Sequence, residues 1–152
     1  MFDIKNKVAI VTGANTGLGQ AICVAYAKAG AKVLGVARRS CEETKAKIDE
    51  FGGTFNECIA DLSSTKPINN IMDSALQLYG TVDILVNNAG IIKRADSVDV
   101  TEDDWDSVIN VNQKVVFFLS QAFARIIFGQ NKKGKIINIA SMLSYQGGIR
   151  VP

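Results

Sequence analysis

An α/β fold with a doubly wound parallel sheet is predicted by three features of this 152-residue chain. Short apolar runs alternate regularly with longer stretches of helical period. The clearest runs are continuously apolar, as strands buried on both faces require. The loops between them are short, which suits strand–helix–strand units with right-handed crossovers. Such a sheet carries helices on both faces and presents ligand sites at the carboxyl ends of its strands.

Each element has its own signal. Lys7–Thr12 (KVAIVT) reads as the first strand and stops at Gly13. Residues 17–29 read as a helix, with Leu18, Ile22, Ala25 and Tyr26 at helical spacing and Gly30 as its C-terminal stop. Lys32–Ala37 (KVLGVA) is the second strand. Ser40 and Glu43 have the spacing of a capping box and open a helix over 42–51, closed by Gly52-Gly53. Residues 54–60 form the third strand and 64–79 the third helix, whose first turn accommodates Pro67. Val82–Val86 (VDILV) is the fourth strand. Thr101 caps a short helix containing Trp105, residues 112–128 form a long amphipathic helix, and Lys135–Ala140 (KIINIA) is the fifth strand.

Composition narrows the function classes. Hydrophobic residues make up 47% and charged residues 21%, with a net charge of +2 and no basic block, so nucleic acid and anionic membranes are not expected partners. Residues 115–128 are broken by Ser120, Gln121 and Arg125 and cannot span a bilayer. Met1–Lys7 has no apolar segment behind its charges, which argues against a secretory signal. Cys23, Cys41 and Cys58 are odd in number and far apart, and read as reduced thiols in a cytoplasmic protein. With no histidine and no clustered thiols, neither a transition-metal site nor a Ser-His-Asp triad is expected.

The chemistry concentrates after the first strand, in Thr12-Gly13-Ala14-Asn15-Thr16-Gly17-Leu18-Gly19. Gly13 suits a tight turn, Gly17 a close approach to a pyrophosphate, and Gly19 close packing of helix on strand. The amides and dipole at the helix start favour phosphate. A purely structural glycine turn is the blander reading. The run Gly129–Lys135 matches GxxxxGK, but it lacks the following Ser or Thr and joins helix to strand, the reverse of a phosphate loop.

The TGxxxGxG spacing resembles the signature of the short-chain dehydrogenase/reductase family, and further motifs follow in that family's order. Asp61-Leu62 resembles the pair that contacts the adenine ring, and Asn87-Asn88-Ala89-Gly90 the NNAG motif lining the adenosine side. Asn112 and Ser141 fall where the family has its catalytic asparagine and serine. Singly, Asp61 reads equally as a helix cap, Asn112 as a capping residue and Ser141 as a strand end. The resemblance covers essentially the whole chain and implies a Rossmann-type fold. It makes residues 1–152 a dinucleotide-binding domain, the N-terminal part of a longer single-domain enzyme, truncated after the fifth strand. That strand is then expected to be an exposed apolar edge.

In the family, hydride passes between the nicotinamide and a substrate carbon while a tyrosine moves the proton, helped by a lysine four residues later. The positions four after Tyr26, Tyr79 and Tyr145 are Gly30, Asp83 and Ile149, and family spacing puts the tyrosine just beyond Pro152. Inefficient turnover is therefore expected of the chain as written. A non-catalytic dinucleotide-binding fragment or sensor is the alternative, and an oligomerisation fragment a third. The resemblance also implies dimers or tetramers built through helix 112–128.

The cofactor expectation is NAD or NADP. The second strand ends in Ala37-Arg38-Arg39, without the acid that binds an NAD ribose and with two guanidinium groups suited to a phosphate, which points to NADP. Arg38 and Arg39 read alternatively as solvated loop charges. The segments 88–94 and 141–152 resemble the subgroup that acts on 2-deoxy-D-gluconate and related keto-deoxy sugar acids, a group better known for NAD. Arg94 and Arg150 suit a carboxylate and Gln146 a hydroxyl, or all three are ordinary loop residues.

Overall fold

The computed structural model describes residues 3–152. The first two residues of the Met1–Lys7 stretch considered above lie outside it. The strands are β1 Val8–Thr12, β2 Lys32–Ala37, β3 Thr54–Ile59, β4 Ile84–Asn87 and β5 Lys135–Asn138. The helices are α1 Gly17–Lys28, α2 Glu42–Asp49, α3 Ile68–Tyr79, α4 Glu102–Ile109, α5 Val115–Gly129 and the short α6 Leu143–Gln146. The strands form one five-stranded sheet in the order β3-β2-β1-β4-β5, and all four pairings are parallel. The chain winds outward from β1 through β3, returns to place β4 beside β1, and so creates a switch point between those two strands. This is the doubly wound arrangement the sequence predicts.

Every residue of β1 and β4 is buried, so each strand feeds apolar side chains to both faces. On one face Ile10, Leu34 and Leu85 pack with Ile71 of α3 and Leu119 and Phe123 of α5. On the other, Val11, Val33 and Val86 pack with Cys23 of α1 and Ile48 of α2. Each such side chain removed from water contributes roughly 1.5–3 kcal/mol, which sets the helices on the sheet more firmly than local propensity does.

At the amino-terminal end of the sheet, Asp83 ties β4 to its neighbours. Its buried carboxylate accepts the Val8 N–H at 3.0 Å and pairs with Lys132 at 3.2 Å. The loops between strands and helices are set largely by backbone chemistry. Gly30, at φ +84°, ends α1 in a double turn in which the Ala31 N–H reaches the Tyr26 carbonyl at 3.0 Å. Gly52, at φ +70°, does the same after α2.

Several local expectations are corrected. The capping box does not form. Cys41 is the N-cap of α2, and its N–H is taken by Glu57 of β3 at 2.6 Å, while Glu43 pairs along the helix with Lys47. The Ser40 hydroxyl accepts the Glu42 N–H at 3.2 Å and donates to Glu57 at 3.3 Å, so a carboxylate from the neighbouring strand, and not Glu43, completes the turn before α2. α2 ends at Asp49 rather than Phe51, α3 begins at Ile68 after a turn through Pro67, and β4 and β5 are shorter than their apolar runs. Asn112 does not open the long helix. It sits in a π-helical turn, Asn110–Lys114, that joins α4 and α5 without a break. α6 carries no sequence signal that separates it from a loop. As expected, β5 is an edge, with Ile136, Ile137 and Ile139 each about two-fifths exposed (42%, 39% and 42%).

Candidate active site

The switch point is held open by Thr12, the last residue of β1. Its buried hydroxyl accepts the N–H groups of Asn88 and Ala89, each at 2.9 Å, and donates to the Val86 carbonyl at 3.3 Å. The Asn88 amide returns the contact by donating to the Thr12 carbonyl at 2.9 Å. β1 and β4 therefore enter their loops locked together. The sequence marks Thr12 only as the polar end of an apolar run, and its role was not legible there.

Beyond Thr12 the three glycines have separable roles. Gly13 takes φ +70°, a left-handed turn that would strain other residues. A Cβ on Gly19 would lie 2.0 Å from the Gly13 carbonyl oxygen, so α1 starts in direct backbone contact with the turn. Gly17, at φ +56°, has nothing within 4 Å of where a Cβ would be, leaving its surface free to meet a ligand. Thr16 is the N-cap residue of α1 but makes no side-chain cap bond, and the first turn contains no acid. The leading amides and positive dipole end of α1 are thus left for an anion. The loop is braced from behind by Thr44 of α2, which donates to the Ala14 carbonyl at 2.8 Å, and by Gln20, which donates to the Asn15 carbonyl at 3.3 Å.

A cleft of about 640 Å³ opens above this turn. Gly13, Asn15, Thr16, Leu18 and Gly19 line one wall, and Asn88, Ala89 and Gly90 another. Arg38, Asp61 and Leu62, from the ends of β2 and β3, close its far side. Of the residues assigned to cofactor binding, only Gly17 does not line the cleft. Arg38 and Arg39 are exposed, and among the described residues neither forms an ion pair. Asp61 accepts the Ser63 N–H at 2.9 Å in a local turn on the cleft wall and caps no helix, since α3 begins only at Ile68. Asn87 points its amide the other way, donating to Asn138 of β5 at 2.9 Å and Ser120 of α5 at 3.2 Å.

A second cleft of about 380 Å³ adjoins the first, with Ile91 and Lys93 lining both. It brings together Asn112 and Ser141, with Trp105, Val108 and Ile109 forming apolar wall. The Asn112 amide grips one residue in both directions: it accepts the Ile91 N–H at 2.9 Å and donates to the Ile91 carbonyl at 2.8 Å. Its side chain therefore positions the 88–93 loop. Ser141 accepts the Leu143 N–H at 3.1 Å, and among the described residues its hydroxyl donates to no partner.

The expected carboxylate ligands lie elsewhere. Arg94, Gln146 and Arg150 line neither cleft. Arg150 pairs with Asp96 at 3.2 Å, and Arg94 donates to the Ile149 carbonyl at 3.3 Å. Together with the Ala95 N–H, which reaches the Arg150 carbonyl at 3.1 Å, they fasten residues 149–151 to the 94–96 loop. Neither arginine's spacing in the sequence could show this, because their partners lie 54 and 55 positions away. Lys93, unmarked in sequence among Ile91, Ile92 and Arg94, is the cation that reaches the second cleft.

None of the three thiols belongs to either cleft, and all are free and buried. Burial pushes Cys23 up to about 12, with the nearby Cys41 thiol adding to the rise, and Cys41 up to about 11, with the Glu57 carboxylate adding to it. Thiols so disposed stay protonated and unreactive near neutral pH. Among the described residues no three His, Cys, Asp or Glu side chains gather as a metal site, and no helix is long and apolar enough to cross a membrane.

Fold and cleft together define a doubly wound α/β protein with a glycine turn at its switch point. A family model described as short chain dehydrogenase matches residues 7–152, and the chain belongs to that family. The 2-dehydro-3-deoxy-D-gluconate 5-dehydrogenase of Escherichia coli K12 is 48% identical over 151 residues, which is 99% of this chain and 60% of the relative. An NADP-bound Agrobacterium tumefaciens structure described as a 2-deoxy-D-gluconate 3-dehydrogenase superposes with a TM-score of 0.88 at 48% identity, covering 99% of this chain and 59% of that one. A Beutenbergia cavernae structure described as an NAD(P)-dependent gluconate 5-dehydrogenase, also with NADP, gives 0.89 at 39% identity, covering 98% and 59%. The chain thus spans about 60% of the length of the curated relatives it matches. The reading as a non-catalytic sensor finds no support among them.

Proposed function

We propose that this chain forms the cofactor-holding part of an NAD(P)-dependent dehydrogenase, with NADP preferred, that interconverts a secondary alcohol and a ketone on a deoxy sugar acid. The observation that carries the reading is the glycine turn. Gly19 admits no Cβ, Gly17 presents open backbone, and the uncapped start of α1 meets a cleft of about 640 Å³. The close packing at Gly19 brings the start of α1 up to the turn, and the open backbone and uncapped amides there fit the pyrophosphate of a dinucleotide. Asp61 and Leu62 would border the adenine, and Asn88, Ala89 and Gly90 the adenosine side. Arg38 and Arg39 would pair the ribose phosphate that distinguishes NADP.

Bound there, the nicotinamide supplies or accepts the hydride. The Ser141 hydroxyl donates to the substrate oxygen, and Asn112 keeps the 88–93 loop in place beside it. No tyrosine in the 152 residues is followed four positions later by lysine, so proton transfer is assigned to no residue here. The sugar-acid substrate is supported by the two relatives at 48% identity, whose names specify 2-dehydro-3-deoxy-D-gluconate and 2-deoxy-D-gluconate.

Cofactor choice is tested at Arg38. Ala37 is 5% exposed and packs in the core, so an acid placed there would disturb the fold as well as the ribose. Arg38→Ala should weaken NADPH binding about tenfold, the effect of one charge-assisted bond, and leave NADH unchanged. Equal losses for both nucleotides in a fluorescence titration contradict the phosphate role. The outer face of α5 carries Phe117 and Phe128, 62% and 79% exposed, as the surface for a second copy of the chain. Sedimentation as a monomer at every concentration removes that assignment.

A further inference from the structure

The second cleft contains one lysine and no arginine among its lining residues, and that lysine stands where the cleft meets the first. We infer that Lys93 receives the carboxylate of the sugar-acid substrate, with Asp104 as the residue that positions its ammonium. This deepens the proposed function and rests on it.

The competing cations are engaged elsewhere. Arg150 is engaged by Asp96 at 3.2 Å and Arg94 by the Ile149 carbonyl at 3.3 Å, and neither lines a cleft. Lys93 Nζ forms an ion pair with Asp104 Oδ1 at 2.8 Å and has no other partner among the described residues, so its ammonium keeps donors for a substrate oxygen. Asp104 is itself fixed, because its N–H is taken by the capping hydroxyl of Thr101 at 3.1 Å at the start of α4. A flexible lysine head is thus held at one point on the cleft wall, which reduces the entropy lost on binding an anion.

The surroundings suit a molecule that is charged at one end. Away from Lys93 and Asp104 the wall includes Ile91, Ile92, Trp105, Val108 and Ile109, with Ser141 and Asn112 as the polar groups. A carboxylate on Lys93 would extend the rest of a short chain through this cleft, in which the Ser141 hydroxyl is available to a substrate oxygen. The Asp104 carboxylate has a free oxygen for a substrate hydroxyl and disfavours a second negative group. Lys93 therefore selects for a monoacid and against a neutral polyol of the same length.

The test uses D-gluconate and its neutral counterpart sorbitol as probes, with the NADP-loaded chain and binding followed by calorimetry. The chain should bind gluconate, and sorbitol at least about tenfold more weakly, as loss of one charge-assisted bond implies. Lys93→Gln should weaken gluconate by a similar factor without changing sorbitol or NADP, and Lys93→Arg should restore most of the loss. If Lys93→Gln leaves gluconate binding intact while Arg94→Gln or Arg150→Gln abolishes it, the assignment to Lys93 is overturned and the sugar-acid reading survives. If NADP affinity falls instead, Lys93 belongs to the cofactor and the inference is likewise overturned. If the unaltered chain binds NADP but no sugar acid, the substrate reading itself fails and takes this inference with it.

Discussion

A methyl group at position 19 would sit 2.0 Å from the Gly13 carbonyl oxygen, and because the contact is with backbone no rotamer can relieve it. Gly19→Ala should therefore push α1 away from the turn, lowering stability by roughly 1–3 kcal/mol in a urea titration and abolishing NADPH binding. Gly17→Ala meets no steric obstacle, although φ +56° adds backbone strain. Unchanged stability and binding in Gly19→Ala would contradict the packing argument. At this scale the sequence is legible where chemistry depends on one residue's own geometry. The roles of Gly13, Gly17 and Gly19 follow from spacing, since each is set by local backbone. The roles of Thr12, Lys93 and the two arginines do not, because each depends on partners brought near by the fold. Thr12 bonds to residues 74–77 positions away, and no local pattern announces such a pairing.

The stretch from Glu102 to Gly129 shows the same division at the scale of elements. Thr101 caps α4 as its sequence position indicates, and Val115, Leu119, Phe123 and Ile127 form the buried stripe of α5 at intervals of four. The periodicity cannot reveal the π-helical turn between them, because a single wide turn shifts the register without breaking the apolar pattern. Such turns commonly accompany functional sites. Here the turn carries Asn112, whose amide grips Ile91 in both directions. Asn112→Leu should release the loop that separates the two clefts. In hydrogen exchange the Ile91 amide should then lose protection, while amides in β1 and β4 keep theirs. Retained protection at Ile91 would show that the loop is held by something other than this side chain. The failed capping box at Ser40 belongs here too. Ser40 stands where the helix begins, but Glu43 is drawn along the helix to Lys47, and Glu57 from an adjacent strand takes both the Ser40 hydroxyl and the Cys41 N–H.

Across the whole molecule, alternating apolar runs and helices with right-handed crossovers give the doubly wound parallel sheet, and the structure sets its order as β3-β2-β1-β4-β5. That order alone fixes where the carboxyl ends of β1 and β4 diverge, and the glycine turn, Arg38, Asp61 and the Asn88–Gly90 segment all converge there. The convergence of these residues on one cleft was therefore legible in the sequence, whereas the walls of the second cleft, built from α4, the π turn and residues 141–152, were not. The central claim is that the switch point binds a dinucleotide, and amide chemical-shift mapping of the chain during an NADP titration tests it most directly. Saturable shifts should concentrate in residues 13–19, 38–39, 61–62 and 88–91, with the inner strands β1 and β4 little affected. Absence of saturable shifts in a chain with a native spectrum, or shifts centred away from the glycine turn, would contradict the account.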